Sequence, residues 1–391
     1  MSIPPLERYG GREQAYVKHY FLATYLERLV HKVARSYDEV VYVDGFSGPW
    51  QSADEDFADT SFGIALAALR TAKASWRNMG RDVRMKAVLV ERRAKAFGLL
   101  QTLQPRYPDV VINPFRADFR AVVDEIAGAI PRKAFAFLLI DPKGWRIPID
   151  VIAPLLARPN TEVLFNFMFD FINRAASMSS PATIEGLDEL LPIMGWREAL
   201  AQIEVDVAAA DRPAARKRIL IDAFRRVLSE KGSYRYVAEV PVLRPLKDRT
   251  LYSLVYATRS ATGIEVFRDC QIKTLGEQDS VRGAAKVLAA SAATGQGDMF
   301  GTVLGHGPDL TTRFLEDERR NAEARLLSLV ARAQAAPTWG DLWPDVLARH
   351  AIRKTELNAI GARLRREGKL EFPDWQPLKR VPDDSYRVRI P

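Results

Sequence analysis

The chain has 391 residues, of which 47% are hydrophobic and 27% charged, and its net charge at pH 7 is +8. Length and composition are typical of a globular protein with a substantial core, divided into roughly two or three domains. The sequence has no apolar run of about 18 residues, no basic-then-apolar leader and no second cysteine beside Cys270. We therefore expect a cytoplasmic protein without membrane helices, disulfides or a multi-cysteine metal site.

The first part of the chain alternates between helical and strand-like segments. The strand-like segments are continuous apolar runs, as in strands that are buried on both faces. In chain order we predict a helix at 12–35, a strand at 40–43, a helix capped by Thr60 and Ser61, strands ending near positions 91, 114, 141 and 169, and intervening helices at 92–104, 120–130 and 148–157. This alternation predicts an α/β domain with a Rossmann-like, doubly wound parallel sheet.

The rest of the chain changes character several times. A mostly helical insert at about 175–232 precedes an antiparallel strand pair, whose strands are separated by a polar turn at 243–249, and together they complete a first domain at 1–278. Residues 279–335 read as an Ala- and Gly-rich linker followed by a charged helix. Residues 336–391 read as two helices, the first capped by Thr338, followed by strand-loop-strand, which is the pattern of a winged helix-turn-helix domain.

Acidic residues follow four of the predicted strands. Asp44, Glu91, Asp118 and Asp141 occupy these positions. In a doubly wound sheet the carboxyl ends of the strands line the crevice where ligands bind, so the four acids are expected at one site. For any one of them alone, a helix cap or an ordinary turn is the simpler interpretation.

The acids and the glycine loop suit an adenosine-containing cofactor. Glu91 would accept both ribose hydroxyls, and Asp118 would accept the exocyclic amine of adenine. The loop after Asp44 would line the cofactor, with Gly45 and Gly48 allowing close approach; its residues are Gly45, Phe46, Ser47 and Gly48. A complete G-x-G-x-x-G pattern and a Walker lysine are absent. Because S-adenosylmethionine has no phosphates, it is the expected cofactor, with Asp44 near its cationic end.

The turn Asp141–Pro142–Lys143–Gly144–Trp145 comes where a substrate would meet this cofactor. In amino-methyltransferases a turn of an acid, two prolines and an aromatic residue binds the target amine. Asp141 and Pro142 are therefore the predicted catalytic residues, although Lys143 replaces the second proline and Trp145 comes one position late. Asn166, at the end of the next strand, could add a polar contact, with a helix cap as the equal alternative. A purely structural turn is the alternative.

Basic residues cluster around the second predicted helix of the C-terminal segment. They are Arg353, Lys354, Arg363, Arg365, Arg366 and Lys369. Recognition helices use such side chains for phosphates and base edges, and a positive net charge favours polyanionic partners. We therefore predict a nucleic-acid-binding surface here, with a solvated helix face or a protein-docking wing as the alternative.

Several quoted segments together resemble a known family. "KHYFLATYL", "YVDGFSGPW", "LVE", "LLIDPKGW" and "YSLVYATRSATGIEVFRD" are similar to the bacterial three-Cys-motif partner protein family. The resemblance covers about residues 10–275, and Trp50 departs from the family's loop pattern. It implies a class I S-adenosylmethionine-dependent methyltransferase-like domain, an appended winged helix, and a role in DNA repair or modification with a three-cysteine, radical-enzyme-like partner.

Three functional hypotheses follow. The first is a methyltransferase acting on nucleic acid, with DNA favoured over RNA. The second is a non-catalytic DNA-binding adaptor that uses the methyltransferase-like fold as a scaffold. The third is a small-molecule or nucleobase enzyme in which the winged helix mediates dimerisation.

Overall fold

A computed structural model describes residues 3–48, 52, 57–294 and 310–391 of the chain. By their internal contacts these residues form two units, Met1–Arg259 and Ser260–Pro391. The predicted boundary at 278 falls instead inside one continuous helix of the second unit, Ala261–Thr294. Alanine is the strongest helix former, which explains why the first part of the predicted linker is helical. Residues 295–309, the rest of that linker, lie outside the described residues.

The N-terminal unit is built on a seven-stranded, mostly parallel sheet. Its strands are β1 (Glu39–Asp44), β2 (Arg84–Val90), β3 (Val111–Phe115), β4 (Phe135–Ile140), β5 (Thr161–Phe167), β6 (Tyr236–Arg244) and β7 (Lys247–Thr258). Their spatial order is β3-β2-β1-β4-β5-β7-β6. The strands β1 to β5 pair in parallel, whereas β7 runs antiparallel to both β5 and β6. This order confirms the predicted α/β class and is compatible with a Rossmann-like fold.

Helices connect the parallel strands and then form the predicted helical insert. They are α1 (Glu13–Ala34), α2 (Ser61–Asn78), α3 (Ala94–Gln101), α4 (Leu103–Arg106), α5 (Val123–Ala129), α6 (Ile149–Leu156), α7 (Phe169–Ala175), α8 (Pro181–Leu190), α9 (Trp196–Asp206) and α10 (Arg212–Gly232). The predicted cap of α2 is confirmed, since the Thr60 side chain accepts a hydrogen bond from the Gly63 N–H at 3.1 Å.

Alternate side chains of the strands are buried on opposite faces of the sheet. One face packs Val41, Leu138 and Phe165 against the helical insert, within a core that includes Phe224 of α10. The other face packs aromatic rings together, and Tyr25 of α1 lies 5.7 Å from Phe137 of β4 between ring centroids. Burial on both faces is the reason that these strands are continuous apolar runs in the sequence.

The antiparallel hairpin differs from its prediction. The polar segment 243–249 was expected to be a long turn, but β6 ends at Arg244 and β7 begins at Lys247. Only Pro245 and Leu246 connect the strands, so charged residues that were assigned to a loop lie on strand ends.

The C-terminal unit contains four long helices in its described part. They are α11 (Ala261–Thr294), α12 (Leu310–Arg332), α13 (Trp339–Arg349) and α14 (Lys354–Arg366). Thr338 caps α13 in a reciprocal arrangement with Asp341, as the sequence predicted. After α14 the chain returns through two isolated antiparallel bridges, Thr338–Arg387 and Glu371–Arg389. The two predicted helices are therefore confirmed, whereas a winged helix remains a proposal.

None of the helices in the described part of the chain combines the length and apolarity that crossing a bilayer requires.

Candidate functional site

Acidic side chains meet at the carboxyl edge of the parallel sheet, as the sequence predicted. Asp44 is the last residue of β1, and Glu91 and Asp141 directly follow β2 and β4. Asp118 lies three positions after the end of β3. Because β1, β2 and β4 pair in register as parallel neighbours, their ends open at the same edge. Asn166, the next-to-last residue of β5, joins them there.

The loop after β1 is closed by its own hydrogen bonds. Each of its four peptide N–H groups donates inside the protein at 2.8–3.1 Å: Gly45 to Leu139, Phe46 to the Asp44 side chain, Ser47 to Val90 and Gly48 to Phe46. A phosphate-binding loop instead points such N–H groups at its ligand. This loop therefore leaves no peptide donor free for a phosphate. Pro49 and Trp50, which continue it in the sequence, lie outside the described residues.

A packing contact accounts for one loop glycine. A Cβ added to Gly45 would lie 3.1 Å from the ring of Phe119, closer than ordinary van der Waals contact. We expected this glycine to let a ligand approach the backbone, but the space is filled by Phe119. The Phe46 ring lies 5.5 Å from the Phe119 ring, so both aromatics fasten the loop to the segment after β3.

Asp44 is buried, with 2% of its surface exposed. Its Oδ1 accepts from the Phe46 N–H at 2.9 Å, and its Oδ2 accepts from the Tyr42 hydroxyl at 3.1 Å. Burial raises the pKa of Asp44 to about 6, with the nearby Asp141 also raising it and the Phe46 N–H opposing the change. A cation bound beside Asp44 would favour its charged form.

Asp141 is held by two side chains from distant parts of the chain. The ammonium group of Lys18, on α1, forms an ion pair with Oδ2, and the Asn166 amide donates to Oδ1 at 2.6 Å. The predicted catalytic carboxylate therefore already has a partner on each oxygen. The amide oxygen of Asn166, by contrast, is buried and has no hydrogen-bond partner.

A first cavity of about 220 Å³ lies on the α1 side of the loop. Its lining includes three carboxylates, two cations and a histidine: Asp44, Asp59, Asp141, Arg12, Lys18 and His19. Arg12 lies 3.5 Å from the Asp59 carboxylate. Such a mixed lining suits a small ligand that carries both positive and negative charge.

His19 is a buried, neutral member of this lining. Its Nδ1 lies 3.1 Å from the Tyr9 hydroxyl. Burial lowers the pKa of His19 well below its ordinary value, and the neighbouring Lys18 and Arg12 lower it further. His19 therefore contributes hydrogen bonding to the cavity without adding positive charge near pH 7.

A second cavity of about 470 Å³ lies on the other side of Phe46, which lines both cavities. Its lining includes Gly45, Glu91, Asp118, Pro142, Lys143 and Trp145. This volume is within the range of small-molecule sites. All of the predicted cofactor residues and the Asp141–Trp145 turn therefore line one or other of these two cavities.

The two acids of the second cavity differ in their surroundings. Glu91 is 5% exposed and accepts a hydrogen bond from the Arg93 N–H at 2.6 Å. Asp118 caps a short 3₁₀ helix, and the Arg120 guanidinium donates one hydrogen bond to each of its carboxylate oxygens at 2.8 Å. These hydrogen bonds from Arg120 lower the pKa of Asp118. The capping role considered for a lone acid after a strand therefore holds for Asp118.

Sequence reasoning missed the α1 contribution to the site. Arg12, Lys18 and His19 were predicted only as part of a helix, and Asp59 was not predicted as a site residue. One signal was present, because His19 is a titratable residue on the buried side of this helix. Within the described residues, no group of three or more His, Cys, Asp or Glu side chains is placed to hold a metal ion.

The predicted nucleic-acid-binding residues lie on or beside α14, mostly in ion pairs. Lys354 contacts Asp384 at 2.9 Å, Arg363 contacts Glu323 and Glu367, and Lys369 contacts Glu367 at 2.9 Å. Arg353 precedes the helix, with its N–H bonded to Glu356 at 3.0 Å. The guanidinium of Arg365 lies 4.4 Å from the Trp375 ring, and Arg366 is exposed.

A scan of the chain against protein-family models gives no match, and a search of curated proteins gives none either.

Proposed function

We propose that this protein is an S-adenosylmethionine-dependent methyltransferase that acts on nucleic acid, with DNA as the expected acceptor. One observation carries the proposal: carboxylates at the ends of neighbouring parallel strands line two cavities around a glycine loop that offers no peptide donor to a phosphate. This arrangement favours a cofactor with ribose hydroxyls and a cationic end over a nucleoside phosphate. The sheet order is compatible with the methyltransferase-like domain that the sequence resemblance implies.

The chemistry of the lining residues fits this cofactor. Glu91 in the second cavity would accept the ribose hydroxyls, and Asp118 the adenine amine. In the first cavity Arg12 and Lys18 would bind the carboxylate of the amino-acid end, and Asp44 would face its positive charge. When bound, the cofactor supplies an electrophilic methyl group.

Asn166 lines neither cavity, and it would hold the acceptor once Asp141, its hydrogen-bonded neighbour in the first cavity, shifts. Its amide oxygen is buried without a partner, and a buried acceptor in this state gains from any donor brought to it. An amino group of a base has such hydrogens. Asp141 would orient Asn166 through the 2.6 Å hydrogen bond, and it would take a proton itself only after Lys18 moves away. Pro142, buried beside Asp141, would supply its carbonyl group and shape the turn.

The C-terminal unit and a partner protein complete the proposal. Two consecutive helices, α13 and α14, followed by antiparallel bridges, support a winged helix that reads DNA through Arg365, Arg366 and their basic neighbours. The family resemblance adds a three-cysteine partner and a role in DNA repair or modification. Copurification of the two proteins, with and without DNA, tests the partner.

The central experiment is methyl transfer from radiolabelled S-adenosylmethionine to a panel of DNA and RNA oligonucleotides, with and without the partner. We expect label in nucleic acid, and we expect Asn166→Ala to abolish transfer while cofactor binding, measured by calorimetry, persists. Absence of cofactor binding at millimolar concentration would sink the proposal. Full activity in the Asn166→Ala protein would remove only the role of that residue.

A second candidate is a non-catalytic DNA-binding adaptor. It is favoured because two of the predicted site carboxylates are already bonded within the protein. Asp141 contacts Lys18 and Asn166, and Asp118 contacts Arg120. An adaptor would bind DNA in a salt-sensitive manner and transfer no methyl group to any acceptor in the panel, with the partner present or absent.

A further inference from the structure

A cluster of arginines surrounds one buried carboxylate at the carboxyl edge of the sheet. Asp170, in the first turn of α7, has a side chain that is 3% exposed. Arg244 and Arg249 approach it at 2.7 and 2.6 Å from the tip of the β6–β7 hairpin, and Arg174 approaches at 3.6 Å from the next turn of α7.

The cluster carries excess positive charge. On α7 and the hairpin tip at 244–249, four cations (Arg174, Arg244, Lys247 and Arg249) outnumber two carboxylates (Asp170 and Asp248), which leaves a net charge of +2. Arg174 and Arg249 remain 53% and 54% exposed at the side chain even though they contact Asp170. The buried acid therefore holds the arginines in place while their outer surfaces face solvent.

Exposed apolar side chains accompany this charge. The ring of Phe171 is on the same turn of α7 as Asp170, is 43% exposed, and lies 4.8 Å from the Arg174 guanidinium. Leu246, at the hairpin tip, is 55% exposed. An aromatic face beside fixed cations is the combination that binds unpaired bases together with their phosphates.

The cluster also lies at the same edge of the sheet as the candidate site. Phe167, the last residue of β5, pairs with Ser253 of β7, and Asn166 pairs with Leu254. The hairpin tip therefore extends past the end of β5, and α7 begins two residues after that end. Both elements stand beside Asn166 at the edge where a substrate would enter.

We infer that Arg174, Arg244, Arg249 and Phe171 form a binding surface for single-stranded nucleic acid, which leads an unpaired base toward Asn166. The inference deepens the proposed function, on which it rests for the choice of a nucleic-acid ligand. The arginines contact phosphates and Phe171 stacks on a base. Chemistry on a base requires the base to be out of the helical stack, which is why a single strand fits this surface.

The test is fluorescence anisotropy with a labelled single-stranded oligonucleotide and the same sequence as a duplex, at several salt concentrations. We expect Arg244→Gln/Arg249→Gln to weaken single-strand binding about tenfold and to reduce the salt slope by about 1.4, because each lost phosphate contact removes roughly 0.7. The matched control is Arg197→Gln/Arg226→Gln, which removes two exposed, ion-paired arginines from α9 and α10. It should change neither quantity.

Two further variants separate binding from folding. Asp170→Asn removes the carboxylate that holds the arginines but keeps their charges, so the salt slope of single-strand binding should not fall even where stability or affinity does. Phe171→Ala should weaken single-strand binding about tenfold without changing the salt slope, because stacking is not ionic.

Several results would overturn the inference. They are hairpin variants that behave like the control, a salt slope that falls in Asp170→Asn, a duplex that binds as tightly as the single strand, and polyglutamate that competes as well as an oligonucleotide. Calorimetry with S-adenosylmethionine distinguishes the two levels. If the protein binds no cofactor but shows the expected oligonucleotide pattern, this surface stands and the methyltransferase proposal fails. If it binds the cofactor normally and the hairpin variants bind oligonucleotides like the parent protein, the surface is wrong and the methyltransferase proposal stands.

Discussion

The two cavities beside Phe46 use charged residues in opposite ways. In the first cavity, Lys18 and Asp141 are 123 positions apart in the chain, and their side chains are only 15% and 17% exposed. In the second, Asp118 and Arg120 are two positions apart, and their side chains are 32% and 47% exposed. The first pair ties α1 to the end of β4, whereas the second only closes a local turn.

This difference determines what a ligand has to displace. Removing one partner of a poorly solvated ion pair leaves a charge without compensation, whereas an exposed pair contributes about 0–1 kcal/mol. A ligand can therefore take Asp118 from Arg120 at little cost. It can reach Asp141 only if its own contacts with Asp141 compensate for the loss of the Lys18–Asp141 ion pair.

The largest expected effect is on the pair in the first cavity. We expect Lys18→Met to lower the free energy of unfolding by about 3 to 5 kcal/mol near pH 7, because Asp141 loses its cation. Urea denaturation measures the change, with Arg120→Met as the control at about 1 kcal/mol or less. Equal losses in the two variants would remove the contrast between the cavities. Lys18→Met/Asp141→Asn should recover part of the loss.

The next effect is the pH dependence introduced by Asp44. Its folded-state pKa of about 6 lies above the ordinary value, so its ionisation opposes folding. The stability that Asp44 contributes is complete below about pH 4 and is lost as the pH rises through 6. Asp44→Asn should therefore match the parent protein at pH 4 and exceed its stability by up to about 3 kcal/mol above pH 7. Denaturation curves of both proteins across this pH range measure the effect. A difference in the free energy of unfolding that is the same at every pH would contradict the raised pKa of Asp44.

A smaller effect is expected on cofactor binding at Glu91. Replacing its charged acceptor by an amide should cost about 2 kcal/mol, or roughly thirtyfold in the dissociation constant of S-adenosylmethionine. Calorimetry on Glu91→Gln measures this loss, and adenosine should show the same loss because the ribose is common to both ligands. A loss for one ligand but not the other would place the ribose elsewhere.

The smallest effect is expected at Asp118. Because the exposed Asp118–Arg120 pair is worth about as much as the adenine contact that would replace it, Asp118→Asn should weaken cofactor binding less than fivefold, which is under about 1 kcal/mol. The same calorimetry decides the matter. A loss as large as that of Glu91→Gln would show that the ligand replaces Arg120 and that the two acids of this cavity act alike.

Much of the fold could be predicted from local pattern. The apolar runs of β1, β4 and β5 predict strands, and Thr60 and Thr338 predict where helices begin. Both signals can be read from the sequence because they depend on residues that are close together in the chain. Parallel pairing then places Asp44, Glu91 and Asp141 at one edge without further information. Alanine-rich composition misled the prediction after position 278, since small residues suit a helix as well as a linker.

The partners of the site residues could not be predicted in the same way. Nothing near Lys18 in the sequence points to Asp141, and their meeting depends on how α1 packs beside the sheet. The role of Gly45 could not be predicted either. A side chain at this position would collide with the ring of Phe119, which comes 74 positions later in the chain (119 − 45). Long-range packing thus decides which predicted acids remain available to a ligand.

The self-contained loop after β1 has a consequence for amide hydrogen exchange. Gly45, Phe46, Ser47 and Gly48 all donate their N–H groups within the protein, so these amides should exchange slowly even without ligand. A loop that cradles phosphates gains its protection only when the ligand arrives. In this protein Gly45–Gly48 are already protected, so a ligand should change exchange mainly at the backbone amides of the segments around this loop.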